Sequence, residues 1–195
     1  MAFWKFWQKT TKPEASKSLG LMPAADFDAL VLPPFDAVLL PLGFQRTANR
    51  VWAMAGDQDI RPMFSIRAWK GATYAPSWGI SLAMVPHLSG QTAKWHRTHK
   101  SAAFDIWEDA KPRHMDLSTL DSCDAISRAI PSVVAGSLLQ AKAFWDSTRQ
   151  LTDIPTALDR LLSQDPEWFS MRPQMRLADY VVSKRLGLYD RAETA

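Results

Sequence analysis

The sequence predicts an α+β fold, in which an antiparallel four-stranded meander is covered on one face by helices. Residues 60–69 and 78–85 each alternate between two sets of side chains, which is typical of half-buried strands. Residues 121–145 instead repeat apolar side chains at helical spacing, which indicates a helix with one apolar stripe. Short connections between the first three strands favour antiparallel pairing of neighbours.

The chain divides into an N-terminal segment, residues 1–20, and a single α+β domain, residues 21–195. The first nine residues combine aromatic side chains with lysines, and a polar stretch follows them. If this segment is helical, Phe3, Trp4 and Trp7 share one side and could make weak peripheral contact with a membrane interface. Alternatively, these aromatic side chains pack on the domain or fray.

Residues 25–42 are apolar and are interrupted by Pro33 and Pro34. We expect a first helical turn and then a second helix that begins at Pro34, because proline is tolerated at the first position of a helix. Gly43 is the predicted stop. The apolar side chains of this region suit the inner face of the sheet.

The predicted strands follow in sequence order. Residues 49–55 are the first, and a turn at residues 56–59 leads to the second, residues 60–69. The third strand covers residues 78–85. A weaker alternation predicts the fourth strand at residues 104–108.

The two faces of the second strand differ in chemistry. Phe64 and Ile66 lie on an apolar face that must be covered, whereas Arg61, Arg67 and Trp69 lie on the other face. A solvated surface is the simplest interpretation of that second face, since one-sided antiparallel sheets are common. A partner surface is the alternative, because arginine and tryptophan are enriched at binding hot spots.

Helices are predicted to complete the domain. The longest of these helices covers residues 121–145, with a kink or break at Pro131. Shorter helices follow at residues 156–162 and 177–186, the last ending at Gly187. The apolar stripe of the helix at residues 121–145 should cover the sheet. We therefore expect a core made of Phe64, Ile66, Ile80 and Leu82 against Ile130, Val133 and Val134.

Composition limits the function classes. A chain of 195 residues with 47% hydrophobic content is long enough for one domain with a core. A net charge of +3 is too small to be the footprint of a nucleic-acid binder without clustering. The lone Cys123 excludes an internal disulfide and fits a reducing compartment. No apolar run reaches the roughly 20 residues that span a bilayer, and no secretory signal is present. We predict a cytoplasmic protein, with peripheral contact to the inner membrane as an open alternative.

Residues 94–100 form a basic segment between the third and fourth strands. A plain basic loop is the simplest interpretation, and contact with an acidic protein or another anion is the functional one. A metal site at His96, His99 and His114 would lack a complete ligand set. The predicted partner-binding residues are Arg61, Arg67, Trp69, Lys94, Trp95, Arg97 and Lys100.

The sequence contains no motif that identifies a reaction. It has no P-loop, dinucleotide fingerprint, zinc-protease motif or nucleophile elbow. Cys123 lies at a helix start, but no local residue supplies a base. Strand alternation sends Asp105 and Glu108 to opposite faces, which argues against a shared acid–base pair. We therefore predict no cofactor, while an enzyme of unrecognised type stays an alternative.

Four short stretches carry a resemblance: Leu-Gly-Phe-Gln-Arg at 42–46, Arg-Val-Trp at 50–52, Met-Phe-Ser-Ile at 63–66 and Trp-Gly-Ile-Ser-Leu at 78–82. Through them, residues 28–110 resemble a bacterial family of unknown function, numbered four-three-zero-four among such domains. The resemblance implies a helix, a Gly-Phe turn and a strand meander, and no reaction.

Proteins of similar size and layout often act as immunity or accessory factors beside toxins or defence systems, an analogy at the level of fold. The predicted function is therefore that of a non-enzymatic bacterial interaction protein with a protein partner. Binding of nucleic acid or another anion through the basic loop is the alternative.

Overall fold

The computed structural model describes residues 23–69, 73–89, 92–95, 98–110 and 123–194. The predicted N-terminal segment, residues 1–20, lies outside the described residues. The helices are α1 (Ala24–Leu39), α2 (Cys123–Asp146), α3 (Ile154–Gln164), α4 (Pro166–Ser170), α5 (Pro173–Leu186) and α6 (Tyr189–Thr194). The strands are β1 (Phe44–Ala48), β2 (Val51–Met54), β3 (Ile60–Trp69), β4 (Thr73–Leu82), β5 (Pro86–Ser89), β6 (Thr92–Trp95) and β7 (Ile106–Asp109).

The predicted α+β class with an antiparallel sheet is confirmed. The main sheet has five strands in the order β1-β2-β3-β4-β7, and every neighbouring pair is antiparallel. The prediction of four strands is one short because it placed a single strand at residues 49–55, whereas β1 and β2 form a hairpin across residues 44–54. The chain reverses at Asn49 and Arg50, and Arg50 adopts a left-handed φ of 60°. Arginine seldom adopts this conformation, so Asn49-Arg50 is not one of the residue pairs that signal a hairpin turn.

The prediction of two helices before the sheet is wrong, because α1 runs unbroken through Pro33 and Pro34. Its buried side chains recur every four residues: Phe27, Val31, Phe35 and Leu39. This stripe continues across the prolines and packs on the sheet, so tertiary burial offsets the backbone hydrogen bonds that the prolines remove. Gly43 then ends the following short turn with a φ of 90°, as predicted.

The apolar face of the sheet is covered by α1 and α2. Phe35 packs on Phe64 with ring centroids 5.3 Å apart, and Phe44 packs on Trp145 at 4.9 Å. The helix α2 is continuous through Pro131, which lies on its exposed side. The seven residues predicted for this core are all buried in one cluster: Phe64, Ile66, Ile80, Leu82, Ile130, Val133 and Val134.

The prediction of a solvated second face is wrong. Met63, Ser65, Ser77 and Ser81 on that face are all buried. Phe104 lies over Arg67 on this face, with its ring centroid 4.6 Å from the guanidinium carbon. Small side chains on β3 and β4 leave room for a crossing segment, and local alternation carries no information about that segment.

A second, two-stranded sheet pairs β5 with β6 and was not predicted. Gln174 of α5 joins it to the body, since the side-chain amide donates to the backbone oxygen of Pro86 at 3.0 Å and to Asp105 at 2.6 Å. We call this hairpin the β5–β6 ribbon. Within the described part of the chain, no helix combines the length and apolarity needed to cross a bilayer.

Candidate functional site

Arg61 is a structural residue of the sheet and is only 1% exposed. Its guanidinium donates to the backbone oxygens of Met54, at 3.2 Å, and Gly56, at 3.0 Å. Burial lowers the pKa of Arg61, and the negative charge of Asp57 partly opposes that effect. Arg61 therefore closes the turn between β2 and β3 instead of meeting a partner.

Arg67 is held between aromatic rings. Its guanidinium carbon lies 4.6 Å from the ring centroid of Phe104 and 4.6 Å from that of Trp107. Arg172 approaches Trp107 at 5.6 Å and Trp168 at 5.1 Å. We call the alternating residues Phe104, Arg67, Trp107, Arg172 and Trp168 the cation–aromatic stack. They join the second face of the sheet to α4 and the start of α5.

Burial lowers the pKa of Arg67, while Asp109 acts in the opposite direction and Arg172 reinforces the lowering. A guanidinium in this environment contributes to packing between elements of the same chain. Arg61 is therefore buried away from any external partner, and Arg67 is half-buried with its guanidinium against rings of the same chain. The side chains of Trp69 and Arg97, which were predicted to join them, lie outside the described residues.

Lys94, Trp95 and Lys100 are exposed, as contact with a partner would require, and their role in binding stays a prediction. Lys94 and Trp95 end β6, where Trp95 is 53% exposed although it is a large apolar side chain. Lys100 lies apart from them in sequence, in a turn closed by reciprocal bonds between Thr98 and Ser101. Of the predicted surface, Lys94, Trp95 and Lys100 are thus accessible, whereas Arg61 and Arg67 make contacts within the chain.

A concave site lies at the β7 edge of the sheet and was not predicted. It is a cavity of about 320 Å³ between β4, β7, α2, α3 and α4, and we call it the β7 cavity. Its deep wall is apolar, with Trp78, Phe144 and Leu161 all buried. Ala143 and Gln164 are exposed and lie at its rim. An apolar cavity with a few polar groups is the usual form of a small-molecule site.

An ion pair forms part of the cavity wall. Arg160 of α3 donates to Glu108 of β7 at 3.0 Å, and the indole nitrogen of Trp78 donates to the other Glu108 oxygen at 3.3 Å. The guanidinium of Arg160 also lies 5.8 Å from the ring centroid of Phe144. These contacts fix the position of Glu108 between an aromatic ring and a cation.

Two more carboxylates line the cavity. Asp165 accepts from the backbone nitrogen of Trp168 at 3.0 Å and so caps α4. Asp109 accepts from the hydroxyl of Ser77 at 2.7 Å through Oδ1. Its Oδ2 is buried without a hydrogen-bond partner among the described residues, as is Nε of Arg160. Buried polar atoms of this kind are usually satisfied by water or a ligand.

Sequence reasoning did not predict this site. Glu108 and Asp109 stand out as neighbouring acidic residues, but Arg160 and Trp168 follow more than fifty positions later and have no local signal. Asp105 takes no part, because it is buried and accepts from the backbone nitrogen of Leu82 at 2.6 Å.

The other chemical candidates contribute no site in the described residues. Cys123 is exposed at the start of α2. In that part of the chain, no three or more histidine, cysteine or acidic residues come together in a way that could hold a metal ion. The metal site considered from the sequence includes His96 and His114, and both lie outside the described residues.

Comparison with family models, with curated proteins and with solved structures finds no match to this chain. The resemblance of residues 28–110 to the bacterial family numbered four-three-zero-four therefore stays a prediction. The functional argument rests on the site geometry alone.

Proposed function

We propose that this protein is a non-enzymatic interaction protein that binds an extended, acidic segment of a partner protein along β6. The observation that carries this proposal is the exposure of the whole strand, residues 92–95, including a Trp95 side chain that is 53% exposed. Soluble domains seldom leave a tryptophan so accessible on a strand, and tryptophan is enriched at binding hot spots.

The backbone of β6 supports this mode of binding. Among the described strands, β6 pairs with β5 alone, so its outer edge presents backbone donors and acceptors. Exposed edges of this kind add a strand from another chain, and the main-chain hydrogen bonds supply the affinity. The ribbon is also preorganised, because Gln174 fixes Pro86 to α5.

The side chains of the ribbon favour an acidic partner with an apolar anchor. Lys94 is exposed beside Trp95, and the sequence adds Arg97 and Lys100 in the next residues. A groove of about 410 Å³ runs along Trp95 and is lined also by Met84, Arg185, Asp57 and Asp59, so the side chain that enters it would be apolar and not acidic. A partner side chain could enter this groove while its acidic neighbours pair with the basic residues.

The first experiment identifies the partner by position. A photocrosslinking amino acid is placed at Ala93 on β6 and, as a control, at Ala135, which is exposed on α2. We expect one protein to be crosslinked from Ala93 and not from Ala135 in cells. Capture from both positions would contradict a specific ribbon surface.

The second experiment measures affinity for the purified partner. Trp95→Ala and Lys94→Glu should each weaken binding at least about tenfold, as expected for hot-spot residues, with an unchanged melting temperature. The matched control is Tyr189→Ala, since Tyr189 is 59% exposed on α6. Equal binding by Trp95→Ala and the control would refute the proposal.

The salt dependence of binding distinguishes a nucleic-acid partner from a protein partner. Binding to DNA or RNA that falls steeply with salt concentration, and that depends on Lys94 and Lys100, would replace the protein partner by a nucleic acid. A crosslinked toxin or defence component would extend the proposal to an immunity or accessory role. The proposal places the protein in the cytoplasm, which the lone Cys123 favours.

A further inference from the structure

We propose that the β7 cavity binds a small organic cation with an aromatic or apolar body. The proposal is independent of the ribbon, because the cavity is lined by residues of β4, β7, α2, α3 and α4. It rests on the volume of the cavity, on its aromatic walls and on its carboxylates, which we take in turn.

The volume sets the size of the ligand. About 320 Å³ lies at the lower end of the range for small-molecule sites, which begins near 300 Å³. The buried wall of Trp78, Phe144 and Leu161 offers apolar contact, while Ala143 and Gln164 at the rim are exposed. A ligand of one ring and a short polar group would place the ring inside and its polar end near the acidic side chains.

The aromatic rings of this region already bind cations of the protein itself. The guanidinium of Arg160 lies over Phe144 at 5.8 Å, and that of Arg172 lies over Trp168 at 5.1 Å. A ring attracts a cation through its quadrupole, and the attraction strengthens where water is excluded. The same walls would therefore attract an ammonium or amidinium group of a ligand.

The ionisable residues also favour a cation. Among the residues that line the cavity, Glu108, Asp109 and Asp165 are acidic, whereas Arg160, which is paired with Glu108, is basic. The negative charge of Asp109 also acts on Arg67, which does not line the cavity. Asp109 adds a buried oxygen that has no hydrogen-bond partner among the described residues. An anionic ligand would meet this negative excess and would have to displace Glu108 from Arg160.

The probes for this proposal are three compounds of nearly the same shape and different charge. Benzamidine is a cation at neutral pH, benzamide is neutral and benzoate is an anion. We expect isothermal titration calorimetry on the full chain to show benzamidine binding about tenfold or more tightly than benzamide, as one charge-assisted contact provides. Benzoate should show no binding.

Two variants locate the site. Ala143→Phe fills the rim and should abolish binding of benzamidine, while the control Ala135→Phe adds the same ring to an exposed position of α2 outside the cavity.

Asp165→Asn removes one carboxylate and keeps a good helix cap, so it should weaken the binding of benzamidine about threefold to tenfold without lowering the melting temperature. Glu167→Gln on α4 is the matched charge control, since Glu167 is exposed and does not line the cavity.

Each of the following results either supports or overturns the proposed cation site. Tighter binding of benzamidine that is lost in Ala143→Phe and kept in Ala135→Phe supports the proposal. Equal affinity for benzamidine and benzamide would overturn the preference for a cation. Benzamidine binding that survives in Ala143→Phe, or absence of binding at millimolar concentration of benzamidine and phenethylamine, would overturn the site.

Discussion

Arg50 is the residue whose replacement tests the fold most directly. It occupies the turn between β1 and β2, and its guanidinium lies 5.1 Å from the ring centroid of Phe27 and 4.6 Å from that of Tyr74. It also forms an ion pair with Asp28 of α1, in which the side chains are only 12% and 17% exposed. Arg50→Ala removes all three contacts at once and so separates the hairpin from the helix.

The expected cost follows from these contacts. A hydrogen bond between charged groups contributes about 1.5–3 kcal/mol, and each partly exposed cation–aromatic contact about 0.5–1 kcal/mol. The side-chain entropy that Arg50 regains offsets up to about 2 kcal/mol. We therefore expect a loss of about 2–3 kcal/mol. Alanine and arginine meet the same steric cost in the left-handed conformation, so the difference reports the side chain.

Urea unfolding and thermal unfolding measure this loss. For a chain of this length, about 2–3 kcal/mol corresponds to a fall of roughly 4–12 °C in melting temperature. Arg50→Lys keeps the charge but not the planar stacking, so its loss should be intermediate. A double-mutant cycle with Asp28→Ala should give a coupling of about 1–2 kcal/mol. A change of only a few tenths in Arg50→Ala would refute the assignment of this cluster as a structural clamp.

The dependence of stability on acid pH provides a separate check of the contact between Asp28 and Arg50. Burial by itself raises the pKa of Asp28, but hydrogen bonds from Arg50 and Asn49 and the charge of Arg50 outweigh burial and hold the pKa below its ordinary value of 3.8. The unfolded chain then binds the proton more readily than the folded chain. The stabilisation is present above pH 3.8 and is lost as the pH falls through the lower pKa of the folded state.

The gap in unfolding free energy between the natural protein and Asp28→Asn should therefore close as the solution is acidified below that point. A gap that stays constant across the acid range would contradict the assignment.

Three further replacements test the core and the C-terminal helices. Ile80→Ala, at a site 1% exposed, should lower the free energy of unfolding by about 2–5 kcal/mol in urea titration, and a change of a few tenths would contradict its core position. Gly79→Ala would place a Cβ atom 2.1 Å from the backbone oxygen of Ile106, so we expect β4 and β7 to separate and little folded protein to be recovered. Asp179→Ala leaves Arg191 without the carboxylate to which Nε donates at 2.7 Å, so hydrogen exchange should rise in α6 and not in α2, and equal protection of α6 would exclude this role.

The sequence by itself determined the class and the inner face of the sheet. Phe64, Ile66, Ile80 and Leu82 are buried as their alternation predicts, and α2 follows the apolar spacing of its residues. Both signals are local: a strand repeats every two residues and a helix every 3.6, so a run of side chains shows which face is apolar.

The tertiary structure decided what the polar residues do. Alternation placed Arg61 and Arg67 on the second face correctly, as their pairing with Ser81 and Ala75 confirms. It could not show that Arg61 reaches backbone oxygens of the preceding turn, or that Phe104 supplies a ring for Arg67. Long cationic side chains take their partners from whatever the fold brings near, which periodicity does not encode.

The same reason governs the β7 cavity. Glu108 pairs with Arg160 across 52 positions of sequence, and each residue alone reads as an ordinary charged side chain. Only the packing of α3 and α4 against the edge of β7 gives them a common wall with Trp78 and Trp168. Periodicity fixes which way a side chain points from its own strand or helix, whereas a site requires the relative placement of several elements, and that placement is set by the burial of the whole core.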